Sequence, residues 1–353
     1  MHIFDYSFLD AGVLPAEIVN LTSTISALNA ISEERRAENK AVYTELEKIA
    51  RVQSVKGSNA IEGIITTDAR IREIVDGNSA PLNHSEMEIV GYRNALDEIH
   101  TLQAQMVVSE QTILHLHQVM TEVAGYEEAG HYKTEDNLIM EIDERGRRHI
   151  RFAPVPAAQT KEAMEQLMLA YMDARDNPRI NKVLLIPCVI LDFLCIHPFA
   201  DGNGRVSRLL TLLLMYKSGY SIGKYVSFEE QINNAKEYYY GSLQDSSEGW
   251  HTNENSYTEF MKNFLSTLYK CYKELDKRFS TVNGKKLKKA ERIEQTVLNS
   301  VLPISKAEIC DYLPDVSPST VEAVLGRMVK DGSVRKLGTA RATKYVNARH
   351  IKD

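Results

Sequence analysis

Residues 197–208 read His-Pro-Phe-Ala-Asp-Gly-Asn-Gly-Arg-Val-Ser-Arg, which gathers an imidazole, a carboxylate, a Gly-Asn-Gly turn and two guanidinium groups in one short stretch. Glycines at 202 and 204 permit a tight backbone turn whose successive N–H groups converge on an anion. A helix launched from such a turn adds about half a positive charge at its N-terminus. Arg205 and Arg208 are neighbours on one face of that helix and can fork onto phosphate oxygens. Asp201, just before the turn, is a hard oxygen ligand suited to a Mg²⁺ that bridges phosphates. His197 has an ordinary pKa of about 6.5, so it can take a proton from a hydroxyl near neutral pH. Phe199 is expected to anchor the loop in the core. Each residue alone has a plain structural explanation; their conjunction describes a phosphate site with a general base beside it.

A second cluster lies far upstream. Ser58-Asn-Ala-Ile-Glu62-Gly63 sets a hydroxyl and a carboxylate four residues apart, on one face of a helical turn between two glycines. Taken by itself it is a capped turn.

The elements that must position these groups are mostly helical. Apolar residues recur at three- and four-residue intervals across residues 16–36, 38–55, 85–102, 109–123, 157–175, 205–217 and 257–279. That period predicts amphipathic helices, with Ser85 and Ser109 as N-caps. Residues 181–196 are apolar on nearly every side and predict a central buried helix ending at His197. Gly219 is placed to end the helix after it. A Tyr-rich helix follows Ser227, and residues 245–255 read as a linker. Leu138–Ile142 and His149–Phe152 flank Asp143-Glu-Arg-Gly146, which predicts a hairpin within residues 130–156. Residues 281–289 form a polar, basic joint. Beyond it, helices at 290–300, 305–313 and 317–331 and two extended segments around Gly338 predict a winged helix-turn-helix. The expected fold is therefore mainly α: a helical region over 1–84, a core over 85–280 carrying the hairpin, and a winged domain over 281–353.

Residues 197–208 match HPF-x-x-G-N-G-R-x-x-R at every defined position, and the chain thereby resembles the Fic (filamentation induced by cAMP) family over roughly residues 50–270. The resemblance implies a Fic-type helical bundle and a protein adenylyltransferase using ATP and Mg²⁺. In that scheme His197 deprotonates a target Tyr, Thr or Ser hydroxyl, which attacks the α-phosphate of ATP and expels pyrophosphate. Asp201 would hold Mg²⁺, Gly202, Asn203 and Gly204 would cradle phosphates, and Arg205 and Arg208 would neutralise the β- and γ-phosphates. Gly130-His-Tyr-Lys133 and the following hairpin resemble the family's flap, with Lys133, Leu138, Ile139 and Met140 docking the target segment; the family usually has Arg in place of Lys133. Tyr239 and Tyr240 resemble the tyrosines near the adenine, although the Asn often found beside them is Ala235 here. Ser58 to Gly63 is similar to the inhibitory motif S-x-x-x-E-G, which implies that Glu62 pairs bidentately with Arg208 and restrains the enzyme. Some members also remove AMP, using the equivalent Glu to position a water.

Composition narrows the alternatives. Apolar residues at 43% and charged residues at 25% are ordinary for a globular chain, and no apolar run is long enough to span a bilayer. The N-terminus lacks the signs of a signal peptide, and Cys188, Cys195, Cys271 and Cys310 show no disulfide or metal spacing, so a cytoplasmic protein with free thiols is expected. The net charge of −6 conceals a basic tail: residues 282–353 carry 14 Lys/Arg against 8 Asp/Glu. Ser319, Glu322, Arg327 and Lys330 on the third helix, with Arg335, Lys336, Arg341 and Lys344 on the wing, leave open DNA or a protein as the partner of residues 290–350. A homodimer is also open. Three readings stay beside the autoinhibited AMP-transferase: a nucleotide-sensing DNA-binding regulator, an enzyme that also removes AMP, and one that transfers another phosphate-containing group.

Overall fold

The structure, a computed structural model, describes residues 2–142, 147–283, 288–298, 300, 303–313, 316–338 and 343–348. They form two compact units, one of Met1–Ser32 with Ile49–Cys271 and one of Glu33–Lys48 with Tyr272–Asp353. These do not follow boundaries at 84 and 280, because three long helices contribute residues to both units.

The first unit is built from α1 (Phe8–Ala11), most of α2 (Ala16–Glu38) and α3 (Lys40–Ile61), α4 (Asp68–Val75), α5 (His84–Leu102) and α6 (Glu110–Thr121). A hairpin of β1 (Ile139–Ile142) and β2 (Arg148–Phe152) follows. Then come α7 (Ala157–Asp176), α8 (Lys182–Ile196), α9 (Asn203–Lys217), α10 (Phe228–Asn233), α11 (Lys236–Ser247) and the first half of α12 (Thr258–Asn283). Every residue of α8 after Lys182 is buried, and α7 and α9 pack against it. Fully burying one Leu, Ile or Phe is worth about 1.5–3 kcal/mol relative to leaving it exposed. The floor from which His197 emerges is therefore firmly held by burial.

Several local readings change. The helix expected over 38–55 runs unbroken to Ile61, and the turn at 58–63 is its C-terminal end. Gly57 sits inside that helix because a Cβ there would come within 3.1 Å of the Glu229 and Glu230 backbone. Its absence lets α3 lie directly on α10. The cap of α5 is Asn83, whose side chain accepts from the Glu86 N–H at 3.0 Å, and not Ser85. Helix α4, capped by Thr67, was not expected. The Tyr-rich stretch divides into α10 and α11, and a short 3₁₀ turn with the buried Trp250 lies in the stretch read as a linker. Strands β1 and β2 pair antiparallel with Met140 opposite Ile150. The turn expected at 143–146 lies outside the described residues.

In the second unit, α13 (Lys289–Leu298), α14 (Lys306–Tyr312) and α15 (Pro318–Lys330) accompany β3 (Ile304–Ser305), β4 (Val334–Leu337) and β5 (Lys344–Asn347), in the sheet order β3-β5-β4. Ile293, Val297, Ile309, Val321 and Leu325 form its core. Ser305 and Glu308 make a capping box on α14, and Ser317 with Pro318 opens α15. Glu322 pairs with Lys306 and Arg327 with Glu294. Arg341 lies outside the described residues. No helix among the described residues is long and apolar enough to cross a membrane.

Candidate active site

Several contacts shape the loop after α8. His197 ends the helix at φ 53°, the left-handed region that residues other than glycine seldom enter, while its N–H still bonds the Phe193 carbonyl at 2.9 Å. Asn203 then staples the loop closed: its Oδ1 accepts from the Phe199 N–H at 2.9 Å and its Nδ2 donates to the Phe199 carbonyl at 2.8 Å. Phe199 is fully buried and stacks on the His117 ring, 3.8 Å between centroids. His117 accepts from the Gly130 N–H at Nδ1, which leaves Nε2–H to donate to the Asp201 carbonyl at 3.2 Å. Gly202 has φ +80°, a backbone conformation that residues with a Cβ rarely adopt, and a Cβ there would press on the Met120 terminal methyl at 2.8 Å. The first N–H groups of α9 lack intrahelical acceptors, an arrangement that suits an anion. Asn203 serves that arrangement through its backbone, since its side chain is committed to Phe199.

Two arginines leave α9 in different directions. Arg205 is buried and pairs with Glu88, Nη1 to Oε1, at 3.0 Å. Arg208, also buried, donates Nε to Ser58 Oγ at 2.8 Å, and Nη2 to the Ser58 carbonyl at 3.0 Å and to Glu62 Oε1 at 2.8 Å. The pairing of Glu62 with Arg208 is thus made through one nitrogen rather than as a two-pronged fork, with Ser58 taking Nε and sharing Nη2. A Cβ at Gly204 would collide with Glu62 Oε1. The carboxylate therefore lies against the N-terminal turn of α9, where a phosphate would bind.

Asp201 is the candidate metal ligand. Its Oδ1 accepts from the Gly202 N–H at 2.6 Å and its Oδ2 from the Tyr126 hydroxyl at 2.9 Å, while the side chain remains 60% exposed. No group of three or more Asp, Glu, His or Cys among the described residues could hold a metal alone. One open carboxylate beside a phosphate cradle fits Mg²⁺, which keeps several waters and takes other ligands from substrate phosphates.

His197 and Glu62 line two adjoining cavities. One, about 230 Å³, is bounded by Arg208, Tyr239, Tyr240, Arg151 and Leu243; the other, about 370 Å³, by Asp201, Arg205, Glu88 and Tyr126. Burial, with the Lys133 ammonium as a second cause, depresses the His197 imidazole to about 4, so the ring is neutral at pH 7.

Residues 107–215 match the model of the Fic/DOC family. That stretch is similar to a Fic domain. Stretches of the chain are similar to curated relatives named protein adenylyltransferase Fic. The relative from Nematostella vectensis is 27% identical over 181 residues, 49% of this chain and 39% of the relative. The one from Drosophila melanogaster is 28% identical over 208 residues, 57% of this chain and 38% of the relative. The match thus spans about two fifths of the relatives' length. Among solved structures, a Fic family protein from Desulfovibrio desulfuricans shares the fold at TM-score 0.63 and 18% identity, covering 95% of this chain and 97% of that one. A Fic-domain signalling protein from Bacteroides thetaiotaomicron gives 0.54 at 19% identity, over 73% and 95%.

Within the matched stretch the hairpin offers an apolar surface: Leu138 and Met140 are half exposed, as is Ile150 opposite Met140. Ile139 instead lines the smaller cavity. Lys133 does not belong to a docking surface. It is 3% exposed, its N–H bonds the Pro198 carbonyl at 2.9 Å, and its ammonium reaches Asn137 Oδ1 at 2.8 Å and the Ile196 carbonyl at 3.3 Å. It braces the loop from beneath, and burial lowers it to about 8. Tyr239 and Tyr240 both reach the cavity, and Arg151 of β2 donates to the Tyr240 carbonyl at 3.0 Å.

Sequence reasoning missed Glu88, His117, Tyr126 and Arg151. The first two carried a signal. Glu88 stands in the stripe Glu88, Tyr92, Ala95, Leu96, Ile99, and His117 in the stripe Ile113, Leu116, His117, Met120, both otherwise apolar and buried. An ionisable side chain where the helical period demands an apolar one is expensive unless paired.

Proposed function

We propose that this chain transfers AMP from ATP, with Mg²⁺, to the hydroxyl of a Tyr, Thr or Ser on a target protein or on itself, and that Glu62 restrains it. The observation that carries the reading is the Glu62 carboxylate seated on Arg208 and over Gly204, where the outer phosphates of a nucleotide would lie. The triphosphate would run along the N-terminus of α9. Mg²⁺ at Asp201 would supply charge neutralisation on the phosphates and the departing pyrophosphate. His197 accepts the hydroxyl proton as the oxygen bonds to the α-phosphorus and the bond to pyrophosphate breaks. Its neutrality at pH 7 suits that role. The purine would lie between Tyr239, Tyr240 and the hairpin, and Leu138, Met140 and Ile150 would hold the target segment by strand addition.

Restraint follows from competition. While Glu62 holds Arg208 the γ-phosphate loses its cation, and a carboxylate beside the triphosphate repels it. Because Glu62 lines the same cavities as His197, it could also position a water for removing AMP. We read residues 281–353 as a winged helix that addresses a protein partner in the cytoplasm. Contact with DNA is the lesser reading, since Lys306 and Arg327 are ion-paired within the unit.

ATP labelled on the α-phosphate, compared with ATP labelled on the γ-phosphate, tests the reaction type with the Glu62→Gly variant. Label on protein from the first and none from the second supports AMP transfer. Label from the γ-position alone would make the chain a phosphotransferase, and label from neither would favour a nucleotide sensor.

A further inference from the structure

Glu88, only 7% exposed on α5, meets two partners at one oxygen: Arg205 Nη1 at 3.0 Å and the Tyr126 hydroxyl at 2.8 Å. That same hydroxyl lies 2.9 Å from Asp201 Oδ2, and Arg205 Nη2 lies 3.7 Å from the same oxygen. The four groups close a ring. A phenol has one proton to donate, so Tyr126 can satisfy one carboxylate at a time and faces the other lone pair to lone pair. Asp201 is the exposed member, whereas Glu88 is buried and fixed by Arg205.

Resting on the nucleotide reading above, we propose that Tyr126 and Glu88 are positioning residues that set Asp201 and Arg205 for the cation–phosphate end of the substrate. Glu88 supplies the counter-charge that fixes the direction of the Arg205 guanidinium. Without it the buried cation would keep only the exposed Asp201 carboxylate, 3.7 Å away. Tyr126 holds the Oδ2 side of Asp201, while the Gly202 N–H holds Oδ1. With Asp201 engaged by a divalent cation, the Tyr126 hydroxyl would still have Glu88 as acceptor, 2.8 Å away, so no donor would be stranded. The hydroxyl thus keeps Asp201 in the binding orientation before the cation arrives and costs nothing once it has bound.

The test is binding rather than turnover. In the Glu62→Gly background, a non-hydrolysable ATP analogue is titrated by calorimetry at a series of Mg²⁺ concentrations, for the parent, Tyr126→Phe and Glu88→Gln. Loss of one hydrogen bond predicts that Tyr126→Phe needs about three- to tenfold more Mg²⁺ for half-maximal tightening, with the metal-free Kd changed by less than about twofold. Glu88→Gln is expected to leave metal-free binding at least as tight, because Arg205 is released, and to lower the transfer rate at saturating nucleotide. Mg²⁺ dependence in Tyr126→Phe equal to the parent's, with binding intact, overturns this proposal alone. No binding by the parent at any Mg²⁺ concentration overturns the nucleotide reading and this proposal with it.

Discussion

Glu62 Oε1 lies 2.8 Å from Arg208 Nη2 across 146 residues of sequence, joining the residue just past α3 to the second turn of α9. The pair joins a carboxylate that is 31% exposed to a guanidinium that is 2% exposed. The arginine is therefore held by its surroundings, and the glutamate is the partner that can leave.

From this asymmetry, Arg208→Lys in the Glu62→Gly background is expected to lower AMP transfer by about 10- to 100-fold, because a lysine cannot reproduce the fork of donors now shared between Ser58 and Glu62. Initial rates at saturating ATP would check it. An unchanged rate would remove Arg208 from the phosphate site.

The pH dependence follows from His197. With the imidazole at about 4 in the free protein, the base form already dominates at pH 6. The acid limb of kcat/KM in the Glu62→Gly variant should therefore fall well below the ordinary histidine value of about 6.5. Lys133→Met, which removes the second cause of the depression, should move that limb upward. A limb near 6.5 in both would contradict the assignment.

His100 makes a similar prediction for stability. Burial, the first cause, lowers it to about 3. Below the unfolded value of about 6.5 the unfolded chain takes up a proton that the folded chain refuses, so this contribution is full above that pH and is lost as pH falls toward 3. The expected loss is about 1.4 kcal/mol per pH unit within the window. Thermal unfolding at pH 7, 5.5 and 4.5 for wild type and His100→Gln should show a shallower acid decline in the variant.

Gly57→Ala should destabilise the protein by about 1–3 kcal/mol, since the added methyl meets backbone of Glu229 and Glu230 that cannot swing aside as a side chain can. The midpoint in urea would show it; a neutral substitution would contradict the close approach of α3 to α10.

The parts legible in the sequence were those carried by local pattern. Residues 181–196 announced a buried helix because apolar residues cover all its sides, and 202–204 announced a turn because glycine there is a backbone requirement. Gly57 misled for the same reason: a glycine inside a helix can mark close packing by a distant segment, here α10, which no local window contains. Lys133 was expected on a docking surface, whereas its neighbours are the carbonyls of Ile196 and Pro198, more than 60 residues away. Tyr126 gave no warning, since a tyrosine in a loop acquires its role only when α5 and the loop after α8 bring Glu88 and Asp201 to its hydroxyl.

The central claim is that the enzyme is competent and restrained by Glu62, and its most direct measurement is the initial rate of AMP incorporation into protein by wild type, Glu62→Gly and Glu62→Gly/His197→Ala with Mg²⁺ and α-labelled ATP. Freeing Arg208 predicts a rise of about tenfold or more in Glu62→Gly, the energetic equivalent of one charge-assisted hydrogen bond, and no label in the double variant. Equal labelling by wild type and Glu62→Gly, or label that persists without His197, would contradict the account.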